Sequence, residues 1–491
     1  MRDAPFGSKT PDFYLTRYNI FLLIVAGVAS AGLFYFGTGL HPRWWALWLA
    51  LFPVLAIAPR LRGSAAFLLG AIAWLIGEMK QWNYVRHDIQ LPSQIAVLYF
   101  VVPAVVFGFG VLFVRGFLRR GSLFLASVAL PVYWVTWEYL TAIASPHSTW
   151  GNLAYTQMNF LPLIQIASVT GVWGINFVLF LFAASVAAFL SGAGKLSRRS
   201  ALAVAVGFLI CVVLVFGEWR LQSNPAAESV AVTLIAKDVP ITVYLGTEHQ
   251  AVELLHDYAD EVRRVTPAGM EAVVLPEKIG RVSERALPEV DALFSSAAAA
   301  THAAVVVGLV RLTPSGAFNS SRFYSPDGKL DANYDKHHLI PGVEPEKPGH
   351  KRVILDQPSG RWGLQICKDM DFPQLSREYA ADGARLMLVP AWDFNVDGWL
   401  HSRMAVLRAV ESGFALARSA RNGLLTLSDN RGRILAETAT VPGRFVSISG
   451  KLNVAREETF FARTGDWFAC LCVATFVLLV ASRALPRSRI T

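Results

Sequence analysis

Three reactive side chains lie at or after the ends of short strand-like runs in the second half of the chain. Glu277 follows one buried-strand pattern, Lys336 lies in a loop, and Cys367 ends another run. A carboxylate at the end of a strand projects into a crevice, which suits a general base. Phe372 and Pro373 are typical of a helix start, and a helix N-terminus favours the nucleophilic thiolate. These residues therefore have the chemistry for nucleophilic catalysis by a thiol.

Cys367 is the only one of the four cysteines that we expect in a water-soluble region. The others, Cys211, Cys470 and Cys472, lie within apolar stretches, and the sequence offers Cys367 no evident disulfide partner. Taken alone, a strand-terminal glutamate, a loop lysine or a buried free cysteine is usually structural. The order of the three residues along the chain is more informative than any one of them.

The elements around these residues follow an α/β rhythm. Short runs rich in valine, isoleucine and leucine alternate with amphipathic segments. We therefore expect one compact α/β domain at residues 228–453. Its strands are predicted at Ser229–Ile235, Glu271–Leu275, Ala303–Leu312, Trp362–Cys367 and Ala384–Val389, and its helices at His249–Val265, Glu289–His302 and Trp399–Ala417.

The rest of the chain has the composition of a membrane protein. Apolar side chains make up 54% and charged side chains 16% of the 491 residues. The 45 lysines and arginines exceed the 36 acidic residues, but many lie in short clusters beside apolar runs, which indicates membrane topology rather than nucleic-acid binding. Runs of about 20 apolar residues, enough to cross a bilayer, begin near Ile20, Trp44, Ser64, Gln94, Ser122, Leu163, Ala201 and Trp467.

Basic clusters in alternate linkers predict how the chain crosses the membrane. By the positive-inside rule both chain ends are cytoplasmic, and the α/β domain lies on the opposite side. The long apolar run near the N-terminus lacks a small-residue cleavage site, so we expect it to remain as a first helix. The predicted order is a cytoplasmic N-terminus (1–19), seven transmembrane helices (20–218), an extracytoplasmic domain (228–453), a final transmembrane helix (465–483) and a cytoplasmic tail (484–491).

The order glutamate, lysine and cysteine after successive strands resembles the nitrilase superfamily, also called the carbon-nitrogen hydrolases. The resemblance continues through Phe318–Ser320, Ser325–Gly328, Tyr334–Pro341, Arg408–Glu411 and Arg418–Gly423. It implies a four-layer α-β-β-α sandwich in which Cys367 attacks an acyl or nitrile carbon and forms a thioester. Glu277 would take the thiol proton, and Lys336 would stabilise the oxyanion together with the backbone amide after the cysteine. Glu344 matches a second family carboxylate that orients the lysine or the substrate.

The membrane part narrows the resemblance to the apolipoprotein N-acyltransferases. Trp150–Gln157, Leu163–Gln165 and Gly171–Phe177 resemble the entry to a membrane helix in that family. The resemblance implies a monomer in the bacterial inner membrane. It would transfer a fatty acyl group from a phospholipid to Cys367 and then to the N-terminal amine of a lipoprotein. Histidines and cysteines show no metal-ligand spacing, and thiol, carboxylate and ammonium suffice for acyl transfer, so we expect no metal and no cofactor.

Further residues near the nucleophile match the family or depart from it. Trp392, Phe394 and His401 resemble the segment after the nucleophile strand and are expected to support the site or bind substrate. Asp369 is also expected to support the site or bind substrate, although it is shorter than the glutamate usual at its position, and Lys368 replaces a tyrosine. Lys368 would either lower the pKa of the thiol further or point to solvent.

The segment after Lys336 is shorter than in the family. About thirty residues separate Lys336 from Cys367, and Gly342–Pro345 replaces the usual Phe-Gly-Glu-Tyr, so the hydrophobic lid loop looks truncated. This favours, as a first alternative, a membrane-tethered amidase in which water is the second nucleophile. A catalytically idle scaffold is the second alternative, although an idle site has no physical reason to keep a thiol beside charged partners. A transporter ranks last, because the helices hold few ionisable residues and no paired broken segments.

Overall fold

The chain divides into two compact units, which are described separately. Residues 1–135, 177–210 and 472–491 form the first unit, and residues 136–176 and 211–471 form the second. The predicted cytoplasmic ends lie almost wholly outside the described residues. The computed structural model describes residues 17–192, 195–223, 228–244, 246–455 and 457–484.

Most helices of the N-terminal half are long and apolar. Six helices in the described part of the chain have the length and composition to cross a membrane. The predicted seven crossings between residues 20 and 218 stay a prediction. The helices are α1 Arg17–Gly37, α2 Trp44–Ala50, α3 Phe52–Ile57, α4 Gly63–Glu78, α5 Ser93–Leu118, α6 Leu123–Ala144, α7 Leu161–Ile164, α8 Ala167–Thr170, α9 Val172–Leu190 and α10 Leu196–Gln222.

Two of the predicted helical runs are interrupted in the structure. The run from Trp44 is divided between α2 and α3, with Pro53 in the first turn of α3, where its missing N–H costs nothing. The run from Leu163 forms only the short α7 and α8. The long helix of that region, α9, begins after Gly171, whose φ of +66° is readily adopted only by glycine.

An aromatic cluster lies at the centre of the first unit. The Trp74 ring lies 4.8 Å from Phe34 and 4.7 Å from Trp134, and Trp134 stacks on Phe180 at 4.9 Å. Other large apolar side chains of these helices face outward, as Phe208 does with 70% of its surface exposed. Such outward apolar surface is unfavourable in water and is expected of helices that contact lipid.

Within the described residues, the second unit contains thirteen strands in two sheets. Its helices are α11 Ile241–Tyr244, α12 Glu248–Val265, α13 Leu287–Thr301, α14 Pro373–Ala381, α15 Gly398–Ser412, α16 Phe460–Thr464 and α17 Trp467–Ala484, the last of which continues into the first unit. The strands are β1 Glu228–Lys237, β2 Ala272–Val274, β3 Arg281–Ser283, β4 Ala304–Thr313, β5 Gly316–Tyr324, β6 Leu330–Asp335, β7 Ile354–Gln357, β8 Gly360–Leu364, β9 Ala384–Trp392, β10 Ala415–Arg421, β11 Leu424–Ser428, β12 Ile434–Ala439 and β13 Phe445–Val454.

The two sheets pack face to face between two layers of helices. The first sheet has the order β13-β1-β2-β4-β5-β6, with β3 beside β4, and the second has the order β12-β11-β10-β9-β8-β7. Strands β1, β2 and β4 are parallel, as are β8, β9 and β10. Helices α12 and α13 cover the first sheet, and α14 and α15 cover the second. The predicted fold class, a multi-pass helical membrane bundle with an α-β-β-α nitrilase-type domain, is confirmed.

The local predictions within this domain hold except at one helix end. All five predicted strands are present, although Trp362–Cys367 is shortened to a strand that ends at Leu364. The helix predicted at Trp399–Ala417 ends instead at Ser412. Gly413 follows with a φ of +85°, which stops the helix, and β10 begins two residues later.

Candidate active site

Glu277 lies just beyond the carboxyl end of β2 and is 2% exposed. Its Oε1 accepts hydrogen bonds from Lys336 Nζ at 2.8 Å and from Asn319 Nδ2 at 2.6 Å. Its backbone N–H donates to the carbonyl of Ala391 in β9 at 3.2 Å. The carboxylate is therefore fixed where the carboxyl ends of strands from both sheets meet.

Lys336 directly follows β6 and lies between two carboxylates. Its ammonium is 2.8 Å from Glu277 Oε1 and 2.9 Å from Glu344 Oε2, and its side chain is 1% exposed. Burial alone would lower the pKa of Lys336, but the two carboxylates outweigh it and hold that pKa well above its usual value. Lys336 is therefore a permanent, fully buried cation.

Glu344 accepts hydrogen bonds from three groups besides Lys336. Its Oε2 also accepts the backbone N–H of Ile340 at 2.8 Å, and its Oε1 accepts from Asn319 Nδ2 at 3.0 Å and Lys278 Nζ at 2.8 Å. Burial opposes ionisation, yet the two lysines lower the pKa of Glu344 to about 2. The carboxylate stays ionised at all physiological pH values and holds Lys336 in place.

Lys278 and Asn319 take part in this network although sequence reasoning did not single them out as site residues. Lys278 Nζ bridges Glu344 and, at 3.1 Å, Glu346. Asn319 bonds both Glu277 and Glu344 through one amide group. The available signal for Asn319 was the polar run Asn319 to Ser321, whose three residues are all buried in β5.

Cys367 lies in the turn after β8 with a left-handed φ of +42°, and its side chain is partly exposed. Its Sγ is 3.5 Å from the carbonyl oxygen of Trp392. Burial raises the pKa of the Cys367 thiol well above its usual value, and the negative charge of Glu277 raises it further. The positive charge of Lys336 opposes both effects but does not cancel them. The expected helix α14 begins only at Pro373, beyond a short turn. The resting nucleophile is thus a thiol that needs a base, and the expected thiolate is not favoured.

Asp369 ties the nucleophile turn to the loop that carries Lys336. Its fully buried carboxylate accepts Tyr334 Oη at 2.7 Å and the backbone N–H of His338 at 2.8 Å. It also accepts a backbone N–H of its own turn at 3.1 Å. Asp369 therefore sets the position of Lys336 relative to Cys367 rather than facing a substrate.

The three remaining predicted residues, Trp392 at the end of β9 and Phe394 and His401 beyond it, form two groups. The Trp392 carbonyl contacts the thiol, and its ring lies 4.1 Å from the guanidinium of Arg421. The Phe394 ring lies 6.4 Å from the ring of His401, whose Nε2 is 3.0 Å from the Asp397 carboxylate. Within the described residues, neither Phe394 nor His401 forms a hydrogen bond or an ion pair with the glutamate, lysine or cysteine of the site.

Two family models match separate parts of the chain. Residues 239–442 match the model described as carbon-nitrogen hydrolase, and residues 30–185 match the apolipoprotein N-acyltransferase N-terminal domain. The fold and the first match define the class of this protein, the carbon-nitrogen hydrolases of the nitrilase superfamily. The second match narrows the similarity to the apolipoprotein N-acyltransferases, and the two matches together support this family.

Bacterial relatives agree with this assignment along nearly the whole chain. The apolipoprotein N-acyltransferase of Geobacter metallireducens is 28% identical over 98% of both chains. That of Thermotoga maritima is 26% identical over 90% of both chains. Among solved structures, Saccharomyces cerevisiae Nit3, a member of branch 10 of the nitrilase superfamily, is 24% identical over 47% of this chain and 92% of that chain, with a TM-score of 0.40.

Proposed function

We propose that this protein transfers a fatty acyl chain from a phospholipid, through a thioester on Cys367, to the N-terminal amine of a lipoprotein. Similarity to the apolipoprotein N-acyltransferase family supports the reaction class. The observation that carries the residue assignment is the bonded group of Glu277, Lys336 and Glu344 beside a partly exposed thiol. Glu277, Lys336 and Cys367 form the proposed catalytic triad.

In the first half-reaction the thiol attacks the ester carbonyl of the phospholipid. Glu277 takes the proton of Cys367, which is needed because the pKa of the thiol is raised. Lys336 and the backbone N–H that follows the cysteine stabilise the negative oxygen of the tetrahedral intermediate. The ester C–O bond then breaks, Glu277 returns the proton to the leaving alcohol oxygen, and a lysophospholipid departs.

In the second half-reaction the amine of the acceptor attacks the thioester. Glu277 takes a proton from the amine, the C–S bond breaks, and the proton passes to the departing sulfur. The products are an amide and the free thiol of Cys367, so the enzyme returns to its starting state. Water in place of the amine would hydrolyse the thioester to a carboxylic acid and the free thiol, and with an amide instead of the phospholipid as acyl donor the site would be an amidase. The shortened segment after Lys336 favours this second candidate.

The location of the reaction is part of the same proposal. Basic clusters in alternate linkers support cytoplasmic chain ends and an extracytoplasmic catalytic domain in the bacterial inner membrane. We also propose that the protein acts as a monomer, as the resemblance to the membrane acyltransferases implies.

Intact-protein mass spectrometry after incubation with phospholipid vesicles tests the proposal. Wild type and Cys211→Ala, which alters a cysteine of α10, are expected to gain one fatty acyl mass that hydroxylamine removes. Cys367→Ala is expected to gain none. An adduct that persists in Cys367→Ala, or no adduct on wild type, would overturn the thioester mechanism.

A second step distinguishes the two acceptors. A diacylated lipopeptide with a free N-terminal amine is expected to discharge the adduct and gain the acyl mass. The same lipopeptide with an acetylated amine is the control and is expected to leave the adduct intact. Equal discharge with both peptides and release of free fatty acid would favour the hydrolytic alternative.

A further inference from the structure

Lys368, the residue directly after the nucleophile, points towards the segment between α6 and α9 rather than to solvent. It is 5% exposed, and its Nζ lies 3.1 Å from His147 Nδ1 and 3.8 Å from the Asp371 carboxylate. Its ammonium also lies 5.5 Å from the centre of the Phe372 ring. Of the two roles expected from sequence, the one in which Lys368 points to solvent is wrong, because the side chain is buried and anchored from another part of the chain.

The proton in this contact belongs to the lysine. Burial and the Lys368 ammonium lower the pKa of His147 to about 4, so its imidazole is neutral at physiological pH. Burial lowers the pKa of Lys368 as well, while the Asp371 carboxylate favours its charged form. The Lys368 ammonium therefore donates to Nδ1 of the neutral His147.

The same segment also holds the far end of the nucleophile turn. Thr149 Oγ1 donates to the carbonyl oxygen of Asp371 at 2.8 Å, and the Thr149 backbone N–H points to the same oxygen at 3.4 Å. The Tyr155 hydroxyl lies 2.6 Å from Thr149 Oγ1 and fixes its position. That hydroxyl accepts a hydrogen bond from the buried Arg408 at 3.2 Å. Residues 147–155 thus contact the turn at two points, one near each end.

The orientation of this turn matters because it carries the oxyanion donor. The left-handed φ of Cys367 is an unfavourable conformation that persists only where surrounding contacts hold it. The backbone N–H of Lys368, which follows directly, is the donor assigned to the oxyanion above. Anchoring the Lys368 side chain restricts rotation of that peptide group.

We propose that His147 is a positioning residue that, by holding the Lys368 side chain, aligns the peptide N–H that binds the oxyanion. The inference rests on the proposed thioester mechanism. By this inference the loop after α6 contributes to catalysis, although it lies more than two hundred residues before the nucleophile in sequence.

The test is the rate of acylation of Cys367 by phospholipid vesicles, followed by mass spectrometry. His147→Ala is expected to slow acylation by about tenfold with little change in the phospholipid concentration that gives half the maximal rate, because a misaligned donor affects the transition state more than binding. His147→Gln retains an acceptor for the lysine and is expected to recover much of the rate. His249→Ala, a change of a solvent-exposed histidine in α12, is the control and is expected to leave the rate unchanged.

A double-mutant cycle with Lys368→Met separates positioning from a general structural role. If His147 acts through Lys368, His147→Ala has no further effect on acylation in the Lys368→Met background. Multiplying effects, or a wild-type rate in a folded His147→Ala variant, would overturn the inference while leaving the proposed function intact. Absence of an adduct on wild type would instead overturn the mechanism and this inference together. Thermal unfolding of each variant identifies any that fails to fold, and His147→Gln then carries the test.

Discussion

At the scale of residues, the site holds several buried charges that neutralise one another. Lys336 and Lys278 alternate with Glu277, Glu344 and Glu346. A buried charge that loses its partner is costly, whereas a paired one is tolerated. Lys278, the residue after Glu277, is therefore as well placed as Lys336 to neutralise the Glu344 carboxylate.

Lys278→Met is expected to lower the free energy of unfolding by about 3 kcal/mol, because it leaves two buried carboxylates short of a cation. Acylation of Cys367 is expected to slow but not stop, since Lys336 still bonds Glu344. Lys336→Met should abolish acylation. Thermal unfolding in detergent and the mass-spectrometric assay measure the two effects.

Lys329→Met is the matched control, because Lys329 is an exposed lysine paired only with an exposed aspartate. Its unfolding temperature and acylation rate are expected to equal those of wild type. A Lys278→Met variant as stable as Lys329→Met would show that the buried network does not depend on this cation.

His401 gives the domain a stability that depends on pH. Burial disfavours the charged imidazole, but Asp397, Asp393 and Asp371 raise the pKa of His401 from 6.5 to about 9. A raised folded-state pKa stabilises the protein fully below the unfolded value and loses this effect as pH rises through about 9. The contribution at low pH is on the order of 3 kcal/mol.

Comparison of wild type with His401→Asn tests this dependence. The difference in unfolding temperature between the two is expected to be largest below pH 6.5 and to shrink as pH rises through about 9. Thermal unfolding across this pH range measures it. A difference that stays constant with pH would mean that the imidazole stabilises the fold by packing alone.

At the scale of elements, the nucleophile turn is fixed by its contacts with other segments and not by a helix. Asp369 binds it to the loop after β6, and Thr149 binds it to the segment after α6. The turn itself has only five residues, too few to hold a left-handed cysteine without such contacts.

Asp369→Asn is expected to lower the free energy of unfolding by about 3 kcal/mol. The amide would present its own donors to Tyr334 Oη and to backbone N–H groups that now bond a carboxylate. Tyr334→Phe removes only one of these bonds and is expected to cost about 1 kcal/mol. Unfolding temperatures of the two variants give the comparison, and equal values would argue against the role assigned to Asp369.

Sequence patterns predicted β1, β2, β4, β8 and β9 because buried parallel strands give continuous apolar runs. The remaining strands mix polar with apolar residues and were not predicted from such runs. Periodicity failed at the helix that ends at Ser412, because residues 413–417 are as apolar as the helix before them. It also failed for α7 and α8, where the apolar run from Leu163 bends at Gly171. In both places a glycine with positive φ decides the boundary.

At the scale of the whole molecule, the order of the glutamate, lysine and cysteine was readable from sequence because each follows a recognisable run. The contact of His147 with Lys368 was not, because it joins residues 221 positions apart and neither belongs to a periodic pattern. Lys278 was missed for a related reason. Its partners Glu344 and Glu346 lie in an irregular loop whose path only the fold reveals.

The predicted topology can be tested on the intact chain with reporters. A phosphatase that is active only outside the cytoplasm is expected to be inactive when fused after Arg199 and active when inserted near Gly316. A fluorescent protein that folds only in the cytoplasm is the reciprocal control and should give the opposite pattern. Reversal of both readouts would place the catalytic domain on the cytoplasmic side.

The pairing of β1 with β13 has a consequence for how such a protein can be built. The first and last strands of the domain are antiparallel neighbours, with Glu228 opposite Val454, so the chain enters and leaves the sandwich at one place. A sandwich with adjacent ends can be spliced between two consecutive membrane helices without opening either sheet. Excision at this junction would leave both sheets closed but would remove the contacts of His147 and Thr149 with the nucleophile turn, so residues 147–155 have to accompany the domain in any exchange.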